Sequence, residues 1–205
     1  MSFSSETVTR LTESQLDSAV QTLVNAFMSD PLTEYLFPEK EKRADQLGLF
    51  IKANLEYTLV TGEIYISASL NGVAVWLFPG DKTRPRLNGM NDPRSQLSRL
   101  LEDGAFARLT DLTKSMAAQH KNLTSEALYY LLFLGVDPWK QGKGIGSTLI
   151  QPMLKASDDS NKSCLLDTMN ERDLEFYRKH DFEVCCESRL CGNGPYTWTM
   201  LRLPQ

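Results

Sequence analysis

The stretch Val136-Asp137-Pro138-Trp139-Lys140-Gln141-Gly142-Lys143-Gly144-Ile145-Gly146-Ser147 decides the reading of this chain. It follows the most apolar run of the sequence, residues 128–136, and leads into a helical pattern over 144–156. Glycines at 142, 144 and 146 let the backbone turn its amide hydrogens toward one concave surface. At a helix start the first N–H groups lack intrahelical acceptors and the macrodipole favours negative charge, so the pattern predicts a nest for phosphate or pyrophosphate.

Three phosphate-binding arrangements compete for this segment. A Walker loop requires Gly-Lys followed by Ser or Thr, whereas Gly142-Lys143 is followed by Gly144. A dinucleotide fingerprint requires G-x-G-x-x-G, and the spacing here is Gly142, Gly144, Gly146, although Asp167 ends the next strand where a ribose-binding acid belongs. Too few residues follow Gly146 for a doubly wound domain, and the upstream strands read as antiparallel. The third arrangement is Gln-x-x-Gly-x-Gly at a strand-to-helix junction, and Gln141 to Gly146 resembles the acyl-CoA pyrophosphate loop of the GNAT acetyltransferase superfamily. The lead-in Leu134-Gly135-Val136-Asp137-Pro138 and the downstream Phe176-Tyr177-Arg178-Lys179-His180-Asp181-Phe182 are similar to the superfamily's segments in the same order; Asp181 stands where Gly is usual. Val75-Trp76-Leu77-Phe78-Pro79-Gly80, the insert after it and Pro195-Tyr196-Thr197-Trp198-Thr199-Met200 resemble the puromycin N-acetyltransferase-like subgroup.

Outward from the loop, the pattern is β at 8–11, a helix capped by Thr12 and ended by Asp30-Pro31, and a second helix over 40–59 stopped by Gly62. Strands over 62–67 and 73–78 flank an Asn71-Gly72 hairpin turn. A polar segment, about 81–124 and helical from about 95 to 119, is an insert between the third and fourth strands. After the 144–156 helix come a strand at 163–167, a short helix at 172–179 and strands at 182–191 and 196–203. This is one α/β (α+β) domain over 1–205. Its mixed central sheet of about six to seven strands is flanked by helices, with a strand-helix-strand crossover at its centre.

With 205 residues the chain can hold a core without disulfide or metal staples. A net charge of -4 without a basic cluster argues against nucleic acid as the main ligand. Residues 1–10 lack the apolar core of a secretory signal and the 128–136 run is too short to span a bilayer, so a soluble, cytoplasmic protein without membrane partners is expected. Cys164, Cys185, Cys186 and Cys191 form no C-x-x-C pair and only two histidines accompany them, so no metal site is expected and the four read as reduced, buried strand residues.

The resemblance implies an acetyl-CoA-dependent N-acetyltransferase acting on the primary amine of a small metabolite or antibiotic-like molecule, as a monomer or homodimer. It implies a pantetheine arm paired with the backbone at Leu134, Gly135 and Val136, and a pyrophosphate held by Gln141, Gly142, Lys143, Gly144, Ile145, Gly146 and Ser147. Asn170 either caps a helix or touches the arm. Tyr177 would donate a proton to the departing thiolate, a leaving group of comparable basicity. A two-residue strand period places Tyr130, Leu132 and Leu134 on one face, with no carboxylate among them. Candidates for the base are therefore Glu126, His120, Glu63, and Tyr130 acting through water. Two further readings stand beside this one: a non-catalytic acyl-CoA binding or sensing module, and a protein or peptide N-acetyltransferase.

Overall fold

The computed structural model describes residues 6–79, 83–121, 128–190 and 192–205. Strand β1 (Val8–Arg10) leads through a 3-10 turn into helix α1 (Leu16–Phe27). Gln15 Oε1 accepts from the backbone N–H and hydroxyl of Thr12 at 3.1 and 2.8 Å, so Thr12 caps the turn and the α-helix starts later than the sequence pattern implies.

Asp30-Pro31 does more than end α1. Asp30 accepts from Leu32 N–H at 2.8 Å and caps a second short helix, α2 (Pro31–Leu36), with proline in the first turn where its missing N–H costs nothing. Helix α3 (Lys40–Thr61) follows. Near its start the buried Arg43 donates to the carbonyls of Phe37 and Pro38 and to Glu34, fastening the α2 end to α3.

Strands β2 (Glu63–Ser67) and β3 (Gly72–Leu77) pair antiparallel from Glu63↔Trp76 to Ile66↔Val73. The expected two-residue Asn71-Gly72 turn is not formed. The connection is longer, with Leu70 at φ 54°, and Gly72 already lies in the strand opposite Val136. The need for glycine comes from packing: a Cβ at 72 would lie 2.7 Å from Leu149 Cδ1 and 2.8 Å from Ile145 Cγ2.

The insert carries α4 (Leu97–Leu100) and α5 (Asp103–His120), broken at Leu101-Glu102 where the backbone turns extended. Then come β4 (Tyr129–Val136), α6 (Ile145–Asp159), β5 (Cys164–Thr168), α7 (Leu174–Arg178), β6 (Glu183–Arg189) and β7 (Tyr196–Arg202). Among the described residues seven strands form one sheet in the order β1-β2-β3-β4-β5-β7-β6, in which β4 and β5 pair parallel. One face packs α1, α3 and the insert through Leu23, Ile51, Leu55, Val73 and Leu112; the other packs α6 and α7 through Trp76, Leu149, Ile150, Leu166 and Phe182. No helix among the described residues is long and apolar enough to cross a membrane.

Cys164 is buried and its thiol is pushed up to about 11 by desolvation, but Cys185 is exposed on edge strand β6, contrary to the expectation that the cysteines are core residues; Cys191 lies outside the described residues.

Candidate active site

Strand β4 pairs with β3 along most of its length but with β5 over three residues only, Tyr129↔Cys164, Tyr130↔Leu165 and Leu131↔Leu166. Beyond Leu166 this pairing stops, while on its other edge β5 stays paired with β7 from Cys164↔Arg202 to Thr168↔Trp198. The two parallel strands therefore part like a V, and residues 132–136 leave one row of backbone groups without a strand partner.

A bulge sharpens the opening. Val75 pairs with Phe133 and Trp76 with Leu131, so Leu132 is an extra residue in β4. Its consequence corrects the two-residue period: Leu132 and Phe133 both pack toward α1 and α3, whereas Leu134 and Val136 pack toward α6, so Tyr130, Leu132 and Leu134 do not share a face.

Gly135 fits its place closely, since a Cβ there would lie 2.7 Å from Leu23 Cδ2 and 3.0 Å from Ala26 Cβ. At the end of β4, Asp137 caps a short turn by accepting from Trp139 N–H at 2.9 Å, and Gln141 Nε2 donates to Val136 O at 3.1 Å. Gly142 at φ +74° and Gly144 at φ +80° bring the chain into α6, and a Cβ on either would meet no atom within 4 Å. The loop face is open to solvent, with the first-turn N–H groups of Ile145, Gly146 and Ser147 at its base. Lys143 is exposed on the same loop. Gly146 instead packs on Phe176, and Ser147 Oγ lies 3.0 Å from His180 Nε2, which seats the ring against the start of α6; desolvation lowers its pKa.

The V continues into a cleft between the sheet and α1, α2 and α3. Phe27, Leu32, Phe37, Phe50 and Phe133 give it an apolar, aromatic wall, with Phe27 and Phe50 at ring distances of 5.9 and 6.0 Å from Phe133. Among the polar groups that line it, Tyr177 and Asp30 come from different elements. Tyr177 on α7 is buried, its ring edge-on to Phe176 and Phe182, and desolvation followed by the charges of Asp173 and Asp30 raises its pKa, so the phenol keeps its proton at neutral pH. Asp30 also lines the cleft, and its pKa is pushed up to about 6, by burial first and against the two α2 amides that stabilise the anion.

Tyr130 and His120, chosen from the sequence for different reasons, meet at Asp167. Tyr130 donates to Asp167 Oδ2 at 2.8 Å, and His120 Nε2 lies 2.8 Å from the same oxygen without hydrogen-bond alignment. Burial first, then the Asp167 charge, holds the Tyr130 phenol well above its usual pKa. Thr199 donates to Asp167 Oδ1 at 2.6 Å. Glu63 lies elsewhere, paired with Arg10 and Arg84 at 3.0 Å each, and Glu126 lies outside the described residues. Asn170 acts as a cap, accepting from Arg172 N–H at 3.2 Å. Asp30 is the group that sequence reasoning missed: Asp-Pro after an amphipathic helix was legible as a stop, and its place in the cleft depends on where α2 docks.

Residues 105–184 match the family model described as an acetyltransferase (GNAT) domain. Over that segment the chain is similar to a GNAT acetyltransferase domain. An uncharacterized N-acetyltransferase of Schizosaccharomyces pombe is 25% identical over 80% of this chain and 69% of its own length. The histone acetyltransferase HPA2 and related acetyltransferase structure from Corynebacterium glutamicum superposes with a TM-score of 0.71 at 19% identity, covering 98% of this chain and 97% of that one. Arylalkylamine N-acetyltransferase 2 from Aedes aegypti superposes with a TM-score of 0.62 at 15% identity, covering 97% and 99%. At these identities the structural likenesses establish the GNAT fold. The family match falls on the segment from α5 to the start of β6, which contains the V, the glycine loop and Tyr177.

Proposed function

We propose that this protein is an N-acetyltransferase that moves the acetyl group of acetyl-CoA directly to the primary amine of a small, largely apolar molecule. The observation that carries the reading is the parting of β4 and β5 after Leu131 and Leu166, which opens a row of backbone groups beside the glycine loop and leads into the aromatic cleft.

Acetyl-CoA supplies the activated thioester. Residues 134–136 pair with its extended arm as a third strand completes a sheet edge, and the first turn of α6 with Gly142 and Gly144 receives the pyrophosphate. Asp30 accepts the proton released as the amine forms its bond to the acetyl carbon. Tyr177 gives its proton to the sulfur as the carbon–sulfur bond breaks. Asp30 is preferred to His120 and Tyr130 as base because it faces the cleft with a pKa near the working range, whereas the other two are both engaged with Asp167.

The aromatic wall supports an aryl or alkyl amine over a polycation, in line with the arylalkylamine N-acetyltransferase among the structural neighbours. The test is titration of acetyl-CoA followed by a free-thiol release assay against arylalkylamines, a polyamine and a peptide mixture. Release with arylalkylamines is expected. Release with peptides alone would move the acceptor to protein, and tight acetyl-CoA binding with no release from any amine would favour a sensing module.

A further inference from the structure

Helix α5 touches the cleft's framework at both ends. Near its start, Arg108 donates through Nε and Nη2 to the carbonyl of Leu36 at 3.0 and 2.7 Å, taking up an acceptor at the C-terminal end of α2. At its last turn, Gln119 donates to Thr199 Oγ1 at 2.8 Å and accepts from Ser188 at 3.0 Å, while His120 reaches Asp167. Leu36 and Asp167 both line the cleft, on opposite sides of it. The helix from Arg108 to His120 forms a rod of about 18 Å. Between its two anchorages, buried Leu112 seats the rod on the α1 and α3 core.

The Asp167 side chain is almost wholly buried, accepts hydrogen bonds from Tyr130 and Thr199 and is approached by His120, so its position is fixed from three elements. Arg43 holds the next two carbonyls of the α2 end, which leaves Leu36 O as the contact made by the insert. The far anchorage is therefore rigid, and the near one bears directly on the wall of the cleft.

We propose that α5 is a strap that sets the width of the acceptor cleft, with His120 and Asp167 as positioning residues at one end and Arg108 at the other. The specificity it confers is toward the acceptor, because the groups at its two ends, Leu36 and Asp167, both line the cleft. This rests on the cleft being the acceptor site as proposed above, but the strap has a readout of its own.

The experiment compares wild type with His120→Phe, which retains a ring against Tyr130 but has no polar atom to meet Asp167, and His120→Gln, which restores a polar side chain beside it. Hydrogen exchange at the amides of Glu34 and Phe37, bonded to Asp30 O and Thr33 O, reports the α2 wall directly. In His120→Phe both amides should exchange about tenfold faster or more, and His120→Gln should return them toward wild type. In the thiol-release assay the acceptor KM should rise by about tenfold in His120→Phe, with acetyl-CoA Kd within about twofold of wild type. Arg108→Ala should act on the same quantity, and the double variant should show less than the product of the two single effects. Unchanged exchange at Glu34 and Phe37, or acetyl-CoA affinity lost in step with the acceptor's, overturns the strap. A protein that releases thiol with no amine overturns the transferase reading instead, and exchange still decides the strap.

Discussion

The half-buried carboxylate of Asp30, at the start of α2, lies close enough to the Tyr177 phenol on α7 for its charge to add to burial and the Asp173 charge in raising the phenol's pKa. More than 140 residues separate them in the chain, and the cleft brings a proton acceptor and a proton donor to one space. Each member of the pair has its own measurable signature.

Asp30→Asn should lower kcat/KM by about 10²-fold or more and remove a low-pH limb centred near pH 6, because the carboxylate must be ionised to take the amine's proton. Stability should move the other way. Well below pH 3.8 the carboxyl is protonated in both folded and unfolded chains. As the pH rises to about 6 the unfolded chain ionises first, so wild type loses roughly 2–3 kcal/mol relative to the variant, constant at higher pH. Denaturant unfolding at pH 4 and pH 7.5 measures it, and an equal difference at the two values would contradict the raised pKa.

Tyr177→Phe should lower kcat by about 10²-fold with acetyl-CoA affinity nearly unchanged, since the ring packing on Phe176 and Phe182 remains and only the proton donor is lost. Parallel losses in kcat and donor affinity would show that the hydroxyl binds rather than donates.

Gly144→Val should abolish detectable acetyl-CoA binding by calorimetry. The residue sits at φ +80°, where a β-branched side chain is strained, and its Cβ would stand in the open face of the loop rather than against protein. The fold should survive, with near-native circular dichroism, because nothing lies within 4 Å to clash. Unchanged affinity would remove the loop from pyrophosphate binding.

Asp181→Gly should stabilise the protein. Asp181 holds φ 66° at the turn after α7, a left-handed conformation that costs a non-glycine residue about 1 kcal/mol. The melting temperature should rise by roughly 2–4 °C for a domain of this size. Activity should stay at the wild-type level.

The sequence by itself determined the strand-loop-helix unit and most of the elements around it, because hydrophobic period, caps and glycine spacing are local properties. It also marked Tyr177, Tyr130 and His120. The tertiary structure alone decided what those residues face. One extra residue at Leu132 reversed the alternation along β4, and a period of two carries no warning of a bulge that depends on pairing with Val75 and Trp76. Gly72 read as a turn residue because Asn-Gly is a strong local signal, whereas its real constraint, the approach of Ile145 and Leu149, comes from a helix seventy residues further on. Asp30 read as a helix stop, which it is; its pKa of about 6 arises from burial, and burial is a property of the packed chain.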